Sequence, residues 1–212
     1  MTARLSGIGA LASAIATATP GGRRLLVGLS GAPGSGKSTL AQAAADALNQ
    51  KGLRTVVVPM DGFHLDNAIL KTRGLLARKG APETFDLGGF ARLLAALRQE
   101  DEVFYPVFDR ARDIAIAGAG RVGPEHRVVL AEGNYLLFGE PGWRDLALLW
   151  DVSVRVRVPV PELRRRLIAR WEAHGLDAEA AAARAEGNDL ANAARIEAAE
   201  LPADIDFSGT PA

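Results

Sequence analysis

A chain of 212 residues, 48% apolar and 24% charged, has enough material for one buried core, and its composition excludes wholesale disorder. Its 25 Lys and Arg balance its 25 Asp and Glu, which gives no reason to expect nucleic acid or an anionic membrane surface as a partner. The chain has no cysteine, which excludes disulfides, thiolate metal sites and cysteine nucleophiles and agrees with a cytoplasmic setting.

In residues 1–20, an early Arg4 and a closing run of Ala and Thr faintly suggest a signal peptide. Ser6, Gly7, Gly9 and Ser13 break the apolar run, and Leu5, Ile8, Leu11 and Ile15 recur at helical spacing. The prediction is an amphipathic N-terminal helix over 1–20, docked on the domain. No apolar segment approaches the ~20 residues that a membrane span requires.

After Pro20-Gly21-Gly22, Leu25–Leu29 reads as a buried strand and Ser38–Lys51, rich in Ala and Leu, as a helix ended by Gly52. The β-branched run Thr55–Val58 predicts a second strand. Asp61–Phe85 is polar and aperiodic, an excursion with a helical piece. Leu87, Phe90, Leu93, Leu94 and Leu97 mark one face of a helix. Val103–Phe108 predicts a strand or hairpin, and Arg127–Ala131 a third buried strand. Leu146–Trp150 and Val152–Val158 continue the strand pattern. Pro161 opens a helix over Glu162–His174. Helices over Ala178–Glu186 and Leu190–Glu200 follow, then an edge strand at Asp204–Phe207. Alternating strands and helices imply an α/β fold with a mainly parallel sheet and helices on both faces. With no repeat and no linker, 1–212 is read as a single domain.

Gly31-Ala32-Pro33-Gly34-Ser35-Gly36-Lys37-Ser38 matches G-x-x-x-x-G-K-[ST] between a strand and a helix. Glycines let backbone N–H groups turn inward around a phosphate. Lys37 can reach the β- and γ-oxygens, the Ser38 hydroxyl can bind Mg²⁺, and the helix start carrying Thr39 points its positive end at the phosphates. ATP and Mg²⁺ are therefore the expected ligands. No Asn/Thr-Lys-x-Asp guanine motif and no Leu-Ser-Gly-Gly signature loop occurs, which disfavours a GTPase and a transport ATPase. Asp86-Leu87-Gly88-Gly89 has a switch-like spacing but reads more readily as a helix cap. A small-molecule kinase remains.

Asp61 follows the second strand, where it could take a proton from an acceptor hydroxyl or bind Mg²⁺. His64 and Asp66 are the next candidates for the base. Asp151 competes with Glu132 as the metal-binding acid. Arg155 to Arg170 holds six arginines against one glutamate, and Arg166 and Arg170 share a helical face.

Met60-Asp61-Gly62-Phe63-His64, Arg78–Asp86, Tyr105–Arg110 and Val128–Gly133 follow the loop in one order. This resembles the uridine kinase, phosphoribulokinase and bacterial pantothenate kinase superfamily, above all the branch labelled putative fructose-transport-system kinases. The resemblance runs from Leu25 to the C-terminus. It implies a three-layer αβα P-loop NTPase fold with a helical lid over about 160–190. It implies Asp61 as catalytic base and Glu132 as the acid that helps hold Mg²⁺. It places His64, Arg78, Lys79, Glu83, Asp86, Phe108, Asp109 and Arg110 toward the acceptor, Arg166 and Arg170 on the transferring phosphate, and Asn188, Asp189 and Asn192 in the acceptor wall.

Two departures matter. Phe108 stands where uridine and pantothenate kinases carry a tyrosine, and the histidine that follows it there is missing here. His174 and Leu176 replace lid arginines of uridine kinases. Losing the phenol removes a hydrogen bond to a substrate hydroxyl and weakens both substrates. The expectation is transfer from ATP to a hydroxyl of a small metabolite, a fructose-like sugar or polyol being favoured. The alternatives are a pantothenate or nucleoside kinase, a P-loop ATP hydrolase and a nucleotide-sensing regulator. Whether the chain forms a homodimer stays open.

Overall fold

The computed structural model describes residues 2–19 and 22–209. Pro20 and Gly21, the expected end of the first helix and its turn, lie outside them. Buried runs such as Leu25–Gly31 and Val128–Gly133 have apolar side chains on both faces, as strands covered by helices on both sides must. They form the centre of a six-stranded, wholly parallel sheet.

The strands are β1 (Ala3–Leu5), β2 (Leu25–Gly31), β3 (Thr55–Pro59), β6 (Val128–Gly133), β7 (Val152–Val156) and β8 (Ile205–Phe207), in the order β1-β8-β7-β2-β6-β3. A separate antiparallel hairpin joins β4 (Val103–Asp109) to β5 (Ile114–Val122). On one face α1 (Ile8–Ala18) and α2 (Lys37–Gln50) pack through Leu11, Ile15, Leu40 and Leu48. On the other, α4 (Leu87–Gln99) and the hairpin cover Leu26, Val129 and Ala131 with Phe90, Leu94, Leu97 and Tyr105. This is the expected three-layer α/β arrangement.

Four local readings change. The segment expected to be wholly helical begins with β1, which pairs with β8, so β8 is interior rather than the edge. Leu146–Trp150 is not a strand. Trp143–Leu149 forms a 3₁₀ turn, the Trp150 indole lies against Gly28, and the sheet resumes only at Val152. Burial decides this: Leu146 is buried while Leu148 is 85% exposed, so the run has no sheet face to serve. β5 went unread because its Ala and Gly residues are mostly exposed and carry little strand preference. The polar excursion contains its expected helical piece, the small helix α3 (Asn67–Thr72), between short turns.

Helix α5 (Val160–Ala173) leads to α6 (Ala178–Arg184), a π turn over Ala185–Leu190, and α7 (Ala191–Ala198). The two predicted helices are thus one nearly continuous helical run. Among the described residues no helix is long and apolar enough to cross a membrane.

Candidate active site

In a parallel sheet all strands end on the same side, and the order β2-β6-β3 lines up three ends there. From β2 comes the phosphate loop, from β6 Glu132 and Asn134, and from β3 Asp61. Gly34 (φ +76) and Gly36 (φ +83) take left-handed conformations that turn the loop into α2. The close packing of the Met60–Phe63 turn on β4 requires Gly62, since a Cβ there would stand 2.0 Å from the Pro106 carbonyl oxygen.

The Ser38 hydroxyl donates to Glu132 Oε1 at 3.0 Å, while Glu132 Oε2 is buried without a partner. A buried, half-satisfied carboxylate beside a hydroxyl and Lys37 fits a hard divalent cation, which takes oxygen ligands. Among the described residues no group of three or more acidic or His side chains converges, so the remaining ligands of such an ion would be phosphate oxygens and water. Burial pushes the Glu132 carboxyl up, with Lys37 working against the rise and Asp61 adding to it. Asp151 has another job. It accepts from Leu26 N at 2.9 Å and pairs with Arg23 and Arg98 at the opposite end of β2.

An open cleft of about 390 Å³ lies beyond the loop, with Lys37, Asp61, His64, Lys79, Phe108, Arg110 and Arg170 among its lining residues. Burial works to raise the Asp61 carboxyl, but Lys37, Arg110, His64 and Arg170 outweigh it and hold it below the ordinary value. Arg110 Nη2 donates directly to Asp61 Oδ2. Burial lowers the His64 imidazole against the pull of Asp61. The ring sits between Phe85 and Phe108, its Nδ1 at 2.8 Å from the Asp61 carbonyl oxygen. Lys79 Nζ donates to Asn67 Oδ1 at 2.7 Å and Asp113 Oδ1 at 2.8 Å, and lies 5.0 Å from the centre of the Phe108 ring.

Helix α5 closes the cleft from above. Arg170 is half-buried and stacks at 5.3 Å on Trp171, and among the described residues its guanidinium makes no hydrogen bond or ion pair. Burial lowers its pKa. Arg166 instead binds Glu162 and donates to the Ser35 carbonyl at 3.3 Å, which holds the loop from behind.

The predicted set therefore divides. Lys37, Asp61, His64, Lys79, Phe108, Arg110, Arg170 and Pro33 share the cleft, with Ser38 and Glu132 on its floor. Asp86 does not reach it: its side chain accepts from Gly89 N at 2.8 Å and caps α4. Asp109 binds Arg112, Arg78 pairs with Glu83, and Glu83 also pairs with Arg195. Asn188 and Asn192 are buried behind the wall. Asp189, expected in the acceptor wall, lines the cleft, and so do Asn134, Asp113, Trp171 and Arg184, which had not been put forward as site residues. Asn134 was reachable, two residues beyond Glu132 on the same strand end, and its Oδ1 is buried without a partner. Asp113 was not, because it enters through a left-handed turn (φ 56) just before the unread strand β5.

The sequence and the fold are matched in known proteins. Putative uridine kinase C227.14 of Schizosaccharomyces pombe is 36% identical over 86% of this chain and 82% of its own length. The chain belongs to the uridine kinase and pantothenate kinase group of P-loop kinases. The crystal structure of a putative fructose transport system kinase from Silicibacter sp. TM1040 is 60% identical, with a TM-score of 0.92 over 94% of this chain and 98% of that one. A pantothenate kinase of Leifsonia xyli is 34% identical over 74% of this kinase, which spans 47% of that protein. The family model for the methylmalonyl Co-A mutase-associated GTPase MeaB matches residues 10–65, the part holding the phosphate loop.

Proposed function

We propose that this kinase transfers the γ-phosphoryl group of ATP to a hydroxyl of a small, neutral sugar or polyol in the cytoplasm. The observation that supports it most is the cleft in which the Asp61 carboxylate faces Lys37 of the phosphate loop and Arg170 of α5. Held below its ordinary pKa, Asp61 is ionised at neutral pH and able to accept a proton. The acceptor hydroxyl would replace the Arg110 guanidinium on Asp61. Lys37 and Arg170 would then stabilise charge spreading over the γ-oxygens during in-line transfer. Ser38 and Glu132 would hold Mg²⁺, with Asp61 beside them, and the ion would neutralise phosphate charge when bound.

Charge supports a neutral acceptor. Five cations (Lys37, Lys79, Arg110, Arg170, Arg184) face three carboxylates (Asp61, Asp113, Asp189) around the cleft, with Glu132 a fourth on its floor. That surplus does not exceed the charge on magnesium-bound ATP, which leaves none to recognise an anionic acceptor. The likeness to the putative fructose transport system kinase points the same way. ADP release measured against sugars, polyols, nucleosides and pantothenate tests the proposal. Stimulation by a neutral polyol or sugar is expected. Stimulation by pantothenate alone would refute the neutral acceptor, and ADP release indifferent to every addition would make the protein a hydrolase.

A further inference from the structure

The helical run that leaves the lid changes its winding once, at the π turn Ala185–Leu190. A π turn inserts an extra residue and so redirects the side chains within it. Here it aims Asn188, 7% exposed, at the backbone of the acceptor loop, where Nδ2 donates to the Lys79 carbonyl at 2.9 Å. A carbonyl needs a donor, so the amide orientation follows, and Asn192 Nδ2 supports Asn188 Oδ1 at 3.5 Å.

Neighbouring carbonyls are held in the same way. Arg184 donates to Ala77 O at 3.1 Å, and the Tyr135 hydroxyl to Gly80 O at 2.6 Å. The Lys79 ammonium meanwhile binds Asn67 and Asp113 on the far side. The loop is thus anchored by its backbone to the lid at Ala77 and Lys79 and to the core at Gly80, and by the Lys79 side chain to α3 and the hairpin. Asn188 itself does not line the cleft.

We propose that Asn188 is a positioning residue rather than a substrate ligand. It fastens the acceptor loop to the lid, so that when nucleotide orders α5 the Lys79 side of the cleft is ordered with it. This rests on the nucleotide-binding part of the reading above, and not on the identity of the acceptor.

Hydrogen–deuterium exchange of the full chain, with and without magnesium and the non-hydrolysable analogue AMP-PNP, tests it without any acceptor. In the unaltered protein we expect protection at residues 31–39 and also at 76–84, which does not line the nucleotide loop. Three variants break the link. Asn188→Leu keeps the bulk without the donor, and Asn188→Ser is too short to reach. Deletion of Gly187 removes the extra residue and turns Asn188 away by about 100°. Each should keep protection at 31–39 and speed exchange at 76–84 by about tenfold in the bound state, the scale of one buried hydrogen bond. Thermal melting identifies any variant that fails to fold, and the others then decide. Protection of 76–84 in folded variants equal to that of the parent would overturn the proposal, as would its absence in the parent. No protection at 31–39 in the parent would instead refute nucleotide binding, and this proposal with it.

Discussion

The floor of the cleft is a strand, a glycine loop and a helix, in which β2 is hydrogen-bonded on both sides and every one of its residues is buried. The opposite wall, from the acceptor loop to the lid, is held by side chains on backbone carbonyls and by ion pairs such as Arg195 with Glu83 and Glu140. Buried ladders open only with the whole fold, whereas half-exposed polar ties open locally. On the proposed reading the floor would hold phosphates in one fixed geometry, and the wall would close around a substrate. Substitutions in the floor's charged groups should cost chemistry outright, and those in the wall should cost closure.

The largest effect is expected at Lys37. Lys37→Ala should lower kcat/KM by about 10³ with the melting temperature almost unchanged, because Lys37 points into the cleft rather than the core. Near-normal kinetics would remove the phosphate loop from the reaction. Asp61→Asn comes next, with turnover reduced by about 10² or more and nucleotide affinity retained, as measured by calorimetry. Undiminished turnover would move the base elsewhere.

Arg170→Ala belongs to the lid, and should lower kcat by roughly 10-fold to 100-fold while leaving the KM for ATP nearly constant. A change confined to KM would make Arg170 a ground-state contact and blur the distinction between floor and lid.

Acid should separate the two regions most gently. Burial works to raise the Glu83 carboxyl, but its own backbone N–H and Arg195 hold it below its ordinary value of 4.5, and the Arg195 hydrogen bond does the same to Glu140. With folded-state values below the unfolded ones, these ties contribute fully above about pH 4.5 and are lost as pH falls through the lower folded values. Amide exchange in 76–84 should accelerate in that window more than exchange in β2. Equal acceleration would mean that the wall and the floor unfold together.

The same contrast governs what could be read from the sequence. The phosphate loop is eight contiguous residues whose chemistry fixes their type, and β2, β3 and β6 announce themselves as apolar or β-branched runs. Asp61 and Glu132 each sit where such a run stops, but Asp151 follows an apolar run as well, and only the family resemblance preferred Glu132 to it. The wall depends on placements that no local pattern carries. Asp113 enters through a left-handed turn, Asp86 is drawn off to cap α4, and a π turn sends Asn188 to a carbonyl rather than into the cleft. Helical periodicity predicted the lid's helices but could not show that Arg166 would brace Ser35 while Arg170, one turn on, faces the cleft.

The most direct test follows the γ-phosphorus of ATP by ³¹P NMR, with the neutral acceptor that gives the fastest ADP release. A phosphate monoester of that acceptor should appear as ADP does, and Asp61→Asn should slow its appearance by about 10² or more. Inorganic phosphate in place of the ester, formed at the same rate with and without acceptor, would contradict transfer to a hydroxyl.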